Sequence, residues 1–202
     1  MRILKFIPLF LLMVYVGCQS KTESTQKILT EAEKETYLKK GKEIAGQTFT
    51  VLSTQLQSAM QSGGVSKAIS YCNLAAYPLV DSLSQLYQAD IKRTSLKIRS
   101  EENMPTELEV AMLNQFKSVV DTGGFPKPTV DLSADQKIHF YAPIAINELC
   151  LKCHGTVGET IADNDYELIK QYYPEDHAIN YRDGELRGMW SITFSNKSEN
   201  EK

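Results

Sequence analysis

Thr129-Val130-Asp131-Leu132-Ser133-Ala134-Asp135-Gln136-Lys137-Ile138-His139-Phe140-Tyr141-Ala142-Pro143-Ile144-Ala145-Ile146 decides the fold. Two β-prone runs, Thr129–Leu132 and Lys137–Ile146, flank the polar turn Ser133–Gln136 and read as an antiparallel hairpin. Upstream, Asp90–Arg99 alternates and predicts another strand, with Leu96 and Ile98 on one face and Arg93, Ser95, Lys97 and Arg99 on the other. Between them, Pro105-Thr106 opens a helix with Leu108, Met112, Phe116 and Val119 on one side, ended by Gly123-Gly124. Further back, Tyr37, Ile44, Phe49, Leu52, Leu56 and Met60 recur at helical spacing from Glu31 to about Ser62, where Gly63-Gly64 stops them. Ser66 then caps a second helix, about Lys67–Tyr87, which carries Cys72 on its apolar stripe and which Pro78 should kink or divide. Downstream, Asp165–Tyr173 is a short helix stopped by Pro174, and Gly188–Phe194 a last strand. The order predicts an α+β fold: an antiparallel sheet flanked by helices, with a long N-terminal helical segment.

The chain has 202 residues, net charge -3 and 42% hydrophobic content, enough for one domain with its own core. Such a balance argues against a nucleic-acid partner, which would call for a basic face. Met1–Lys5 is basic and Phe6–Val16 apolar, too short to span a bilayer but right for a signal peptide. Gly17-Cys18 follows, so the segment resembles a bacterial lipoprotein signal cut before a lipid-bearing Cys18. The expected organisation is a signal over 1–17, a polar tether over 18–30, a folded domain over 31–196 and a flexible tail over 197–202. The expected location is outside the cytoplasm, anchored to a membrane by the lipid and facing the periplasm or cell surface. With Cys18 lipidated, Cys72, Cys150 and Cys153 remain, an odd count that cannot form a complete set of internal disulfides.

Cys150-Leu151-Lys152-Cys153-His154 is the attachment signature of a c-type haem. Two thiols, two residues apart on one helical turn, can add across the two porphyrin vinyl groups, and the adjacent histidine offers an axial ligand. Gly155 would remove bulk beside the ring. A thioredoxin-like redox pair is the competing reading, but the strand order does not suit it. Half a zinc site is another, but no second Cys-x-x-Cys exists. One signature implies one covalently bound haem. Its sixth ligand could come from His139, His177, Cys72, Met60, Met104, Met112 or Met189, and Cys72 could equally be a small core residue. Arg93, Lys97 and Arg99 are either a solvated edge or partners for haem propionates. Tyr141 and Trp190 line the haem pocket or pack in the core.

Ala68-Ile69-Ser70-Tyr71-Cys72-Asn73 resembles a segment of a family of PAS-like c-haem domains first catalogued as a domain of unknown function. Arg93-Thr94-Ser95-Leu96-Lys97-Ile98-Arg99 with Asn103 and Pro105 is similar to a second segment, although Ser100 stands where asparagine is usual. Tyr141-Ala142-Pro143-Ile144 running into Cys150–Gly155 is similar to a third, and Tyr173–Ala178, Tyr181 and Gly184–Gly188 to a fourth. The resemblance spans about residues 35–195. It implies a PAS-like sheet, a covalent haem with His154 on one face of the iron, and Cys72 as the other axial ligand. It also implies a role in redox or ligand sensing or in electron transfer, and such domains often pair as homodimers. A sensor would need a signalling protein to read it, and an electron carrier a redox partner. A peroxidase-like enzyme ranks last, because no distal acid-base constellation is visible.

Overall fold

The structure, a computed structural model, describes residues 28–194. The expected signal, the lipidated Cys18, most of the tether and the tail lie outside the described residues. The elements are α1 (Glu31–Leu74), α2 (Ala76–Tyr87), β1 (Ala89–Thr94), a 3-10 turn (Glu101–Asn103), α3 (Glu107–Asp121), β2 (Thr129–Leu132), β3 (Ile138–Ala145), α4 (Glu148–His154), α5 (Asp163–Tyr172) and β4 (Leu186–Phe194). The strands form one antiparallel sheet in the order β1-β4-β3-β2. The fold is α+β, as expected, and the 129–146 hairpin is present.

Thr30 opens α1 with a capping box, accepting from the Glu33 N–H while the Glu33 carboxylate accepts from Thr30. The helical path breaks at Gly63-Gly64, where Gly64 has φ +66, a conformation glycine adopts freely. It breaks again at Ala75, the junction of α1 and α2, and Pro78 sets the place of this break. The proline has no N–H for the Leu74 carbonyl and its ring would clash with it, so the helix divides one turn before the proline. Residues 65–74, with Cys72, therefore form a short rod between two breaks.

Strand alternation assigns the two faces of the sheet. Phe140, Ala142, Trp190, Ile192 and Phe194 join Ile44 and Leu52 of α1 and Val80 of α2 in the main core. Tyr141 and Met189 face the other way, onto Leu113 and Phe116 of α3. Ile69, Ile161, Ile169 and Tyr173 form a third cluster, between the 65–74 rod and α5, with Cys153 packed against it.

Two expectations are corrected. β1 ends at Thr94 rather than Arg99, and Leu96 is exposed. Ser95 Oγ donates to the Arg187 carbonyl at 2.6 Å, a side-chain bond in place of a ladder bond. The buried side of α3 is Glu109, Leu113 and Phe116, while Leu108 and Val119 face outward. Glu109 is drawn inward by Lys92 Nζ of β1, 2.9 Å away, which turns the helix from the orientation its apolar residues suggest.

Candidate functional site

A cavity opens between the α1/α2 layer, the ends of β1 and β4, and α4. It holds roughly 950 Å³ of empty space, part of it open to solvent at the mouth. Cys72, Cys150, His154, Arg93, Arg99 and Arg187 all line it, among apolar residues such as Phe49, Leu52 and Trp190.

α4 starts directly after β3, whose end is fixed by two backbone bonds, Ile146 N–H to Glu185 O and Gly184 N–H to Ile146 O. Asn147 caps the helix, accepting at Oδ1 from the Cys150 N–H at 3.1 Å and from its thiol at 3.2 Å. At the other end, Tyr181 N–H donates to the His154 carbonyl and Asn180 N–H to that of Gly155. Gly155 is required by its own loop rather than by the cavity, since a Cβ there would meet Thr160 Oγ1 at 1.8 Å.

His154 Nδ1 lies 2.7 Å from the Ala178 carbonyl. A carbonyl only accepts, so Nδ1 carries the proton and Nε2 keeps its lone pair. Burial, reinforced by the charges of Arg187 and Arg99, holds the His154 pKa well below the ordinary imidazole value, so the ring is neutral at pH 7. The Ala178 carbonyl is itself held in place. Arg99 donates from Nε and Nη2 to the two oxygens of the buried Asp176 at 3.1 and 3.0 Å, and from Nη2 to the Cys153 carbonyl at 2.6 Å. Asp176 Oδ1 in turn accepts from the Ala178 N–H at 2.8 Å. One guanidinium thus fixes both the end of α4 and the acceptor that orients His154.

Burial pushes the Cys72 thiol up, against the opposing pull of Arg93 and Arg99. Cys153 is pushed up to about 11 by burial, and Cys72 is near enough to add to the effect. No disulfide joins these cysteines. Among the described residues, no group of three or more His, Cys, Asp and Glu is placed to hold a bare metal ion.

The structure brings together Cys72, Cys150, His154, Arg93, Arg99 and Trp190, with Cys153 beside them. It does not bring Tyr141 or Lys97. Tyr141 faces α3, one residue out of phase with the cavity side of β3. Lys97 donates to the Ile179 carbonyl and lies over the Tyr181 ring at 4.2 Å, away from the cavity. The other ligand candidates are also elsewhere. Both ring nitrogens of His139 are engaged, by Ser133 and Thr193, His177 is exposed in a loop, and Met60, Met104, Met112 and Met189 do not line the cavity. Sequence reasoning missed Arg187 as a site residue. Strand alternation would place it with Met189, but Ile144 pairs with Gly188 and Ala145 with Leu186, leaving Arg187 as the unpaired residue of a bulge.

These features define a class: a single-sheet α+β domain with a Cys-x-x-Cys-His helix at the mouth of an apolar, arginine-bearing cavity. The chain belongs to the Tll0287-like family, which matches residues 19–195. It is similar in fold to the crystal structure of the cyanobacterial heme-protein Tll0287, with TM-score 0.52 and 22% identity over 78% of this chain and 98% of that one. No curated protein matches the chain.

Proposed function

We propose that this protein is an exported monohaem c-type cytochrome-like protein that acts as a redox or small-ligand sensor. The haem would be held by thioether bonds to Cys150 and Cys153, with His154 and Cys72 on opposite sides of its iron. One observation carries the reading: the cavity gathers a neutral imidazole with its Nε2 free, one thiol of the attachment turn and a second thiol from a different element. The donor set and the apolar, open cavity fit the group, and the fold neighbour is a heme-protein by its own description. When bound, the haem supplies one-electron chemistry and a coordination position for a small ligand.

The chain's own part is to hold and to move. Asn147 and Arg99 fix the two ends of α4, and Ala178 fixes the His154 tautomer. Cys72 is on the 65–74 rod, bounded by Gly63-Gly64 and Ala75, so it can shift without unfolding the rest of α1. A movable ligand arm is what a sensor needs, and a partner signalling protein would read the shift. Electron transfer to a redox partner is the second reading. It is favoured by Phe49, a cavity-lining residue that is 53% exposed and gives the mouth an apolar rim. Both readings place the protein outside the cytoplasm, tethered through Cys18.

Absorption spectra of the mature protein, oxidised and reduced, compared with Cys72→Ala, test the assignment. Thiolate features that vanish in the variant are expected. A wild-type spectrum without covalent haem sinks the cofactor reading. A spectrum indifferent to Cys72→Ala sinks the ligand assignment.

A further inference from the structure

The cavity wall carries three guanidiniums and no carboxylate. Arg99 is accounted for by Asp176. Arg93 lies over the Trp190 ring at 5.8 Å, and Arg187 has the Lys97 carbonyl at 3.1 Å and the Tyr181 ring at 5.4 Å. Among the described residues, neither has a carboxylate within salt-bridge distance. Both are partly buried, where a cation without a counter-charge is unfavourable. Tyr71, also on the wall, has a buried hydroxyl with no hydrogen-bond partner, and the Arg93 charge acts on that phenol. The β4 bulge is a third, independent sign, because bulges re-aim a side chain at a site.

We propose that these groups form a receptor for the two carboxylates of the cavity's ligand, Arg187 binding one and Arg93 with the Tyr71 hydroxyl the other. This rests on the haem reading, since a haem brings two propionates on one edge. The receptor supplies charge-assisted hydrogen bonds to both, and it fixes which edge of the macrocycle enters first. Lys97 and Arg99, which share the basic segment with Arg93, take no part: Lys97 does not line the cavity, and Arg99 is neutralised by Asp176.

The test separates the carboxylates from the rest of the ligand. The full chain with Cys150→Ser/Cys153→Ser is titrated with ferric haem and with its dimethyl ester, which lacks both charges. The free acid is expected to bind at least about tenfold more tightly, one good charge-assisted pair. Arg187→Gln should remove most of that preference, Arg187→Lys should restore part of it, and Arg93→Gln/Arg187→Gln should abolish it. Tyr71→Phe should cause a smaller loss. Circular dichroism confirms that each variant is folded. Equal binding of acid and ester by the parent chain, or an unchanged preference in the folded double variant, overturns the receptor and leaves the haem reading standing. Binding of neither form, with no covalent haem on the mature wild type, overturns both.

Discussion

Arg99 shows how one side chain can serve stability and site geometry together. Its guanidinium is 13% exposed and its partner Asp176 is fully buried, so the pair is shielded from solvent. Removing the arginine leaves a buried carboxylate alone, an uncompensated charge that typically destabilises by about 3–5 kcal/mol. Arg99→Leu should lower the urea midpoint accordingly. Arg99→Lys should lose less stability, but it cannot reproduce the fork that reaches Asp176, Cys153 and Ala178 at once. A wild-type midpoint for Arg99→Leu would show that the clamp is dispensable. At this scale the sequence was informative where chemistry dictates spacing. Cys150, Cys153 and His154 are recognisable because two thiols and an imidazole must fit one helical turn. The roles of the basic residues were not recognisable. Arg93, Lys97 and Arg99 look equivalent in an alternating pattern, and what separates them is the end of β1 at Thr94: Arg93 stays in the ladder, while Lys97 and Arg99 beyond it each meet a different neighbour. Arg187 was hidden by a bulge, which no alternation reveals.

At the level of elements, α1 meets the sheet at an unusually close crossing. A Cβ on Gly41 would lie 2.2 Å from Cγ of Phe140, itself completely buried. Gly41→Ala should destabilise by about 1–3 kcal/mol through overpacking, despite the better helix propensity of alanine. Combining it with Phe140→Leu should recover part of the loss, a non-additivity that a double-mutant cycle in urea would measure. The α3 contact with β1 is electrostatic instead. Burial alone would raise the Glu109 carboxyl, but hydrogen bonds from Lys92, the Thr106 backbone and Ser191 outweigh it, and its pKa is lowered on folding. A carboxyl with a lowered folded pKa adds stability that is full above the unfolded value of roughly 4.3 and is lost as pH falls through the folded one. Glu109→Gln should therefore be less stable than wild type at pH 7, and the gap should close under acid conditions below both values. A gap that persists there would mean that the contact is one of packing. The same residue explains the misjudged helix face: an apolar stripe was counted, and an acidic residue holding the helix down by an ion pair escapes such a count. The capping boxes at Thr30 and Thr106, by contrast, sit in the sequence where the helices begin.

For the whole molecule, the question is what the cavity does to the rest of the fold. It lies where three bodies meet: the main core under α1 and α2, the sheet ends, and the α4–α5 lobe with the 65–74 rod packed on it. The sheet has its own core and its own ladders, so its local order rests mainly on contacts outside the cavity. The rod is different. It is bounded by two breaks, anchored mainly through Ile69 to the α5 cluster, and it turns Cys72 and Tyr71 to the cavity. A ligand that binds the folded chain stabilises it by linkage, and the gain falls mostly on segments that are otherwise free to open. Hydrogen exchange of the mature protein, compared with the full chain bearing Cys150→Ala/Cys153→Ala, should therefore show strong slowing at residues 65–74 and 148–155. Little change is expected at 89–94 and 186–194. The contrast would identify the rod as the element whose position reports on the cavity, the property a sensor requires. Uniform slowing over rod and sheet alike would describe a ligand that stabilises the domain as one rigid unit, and would favour an electron carrier.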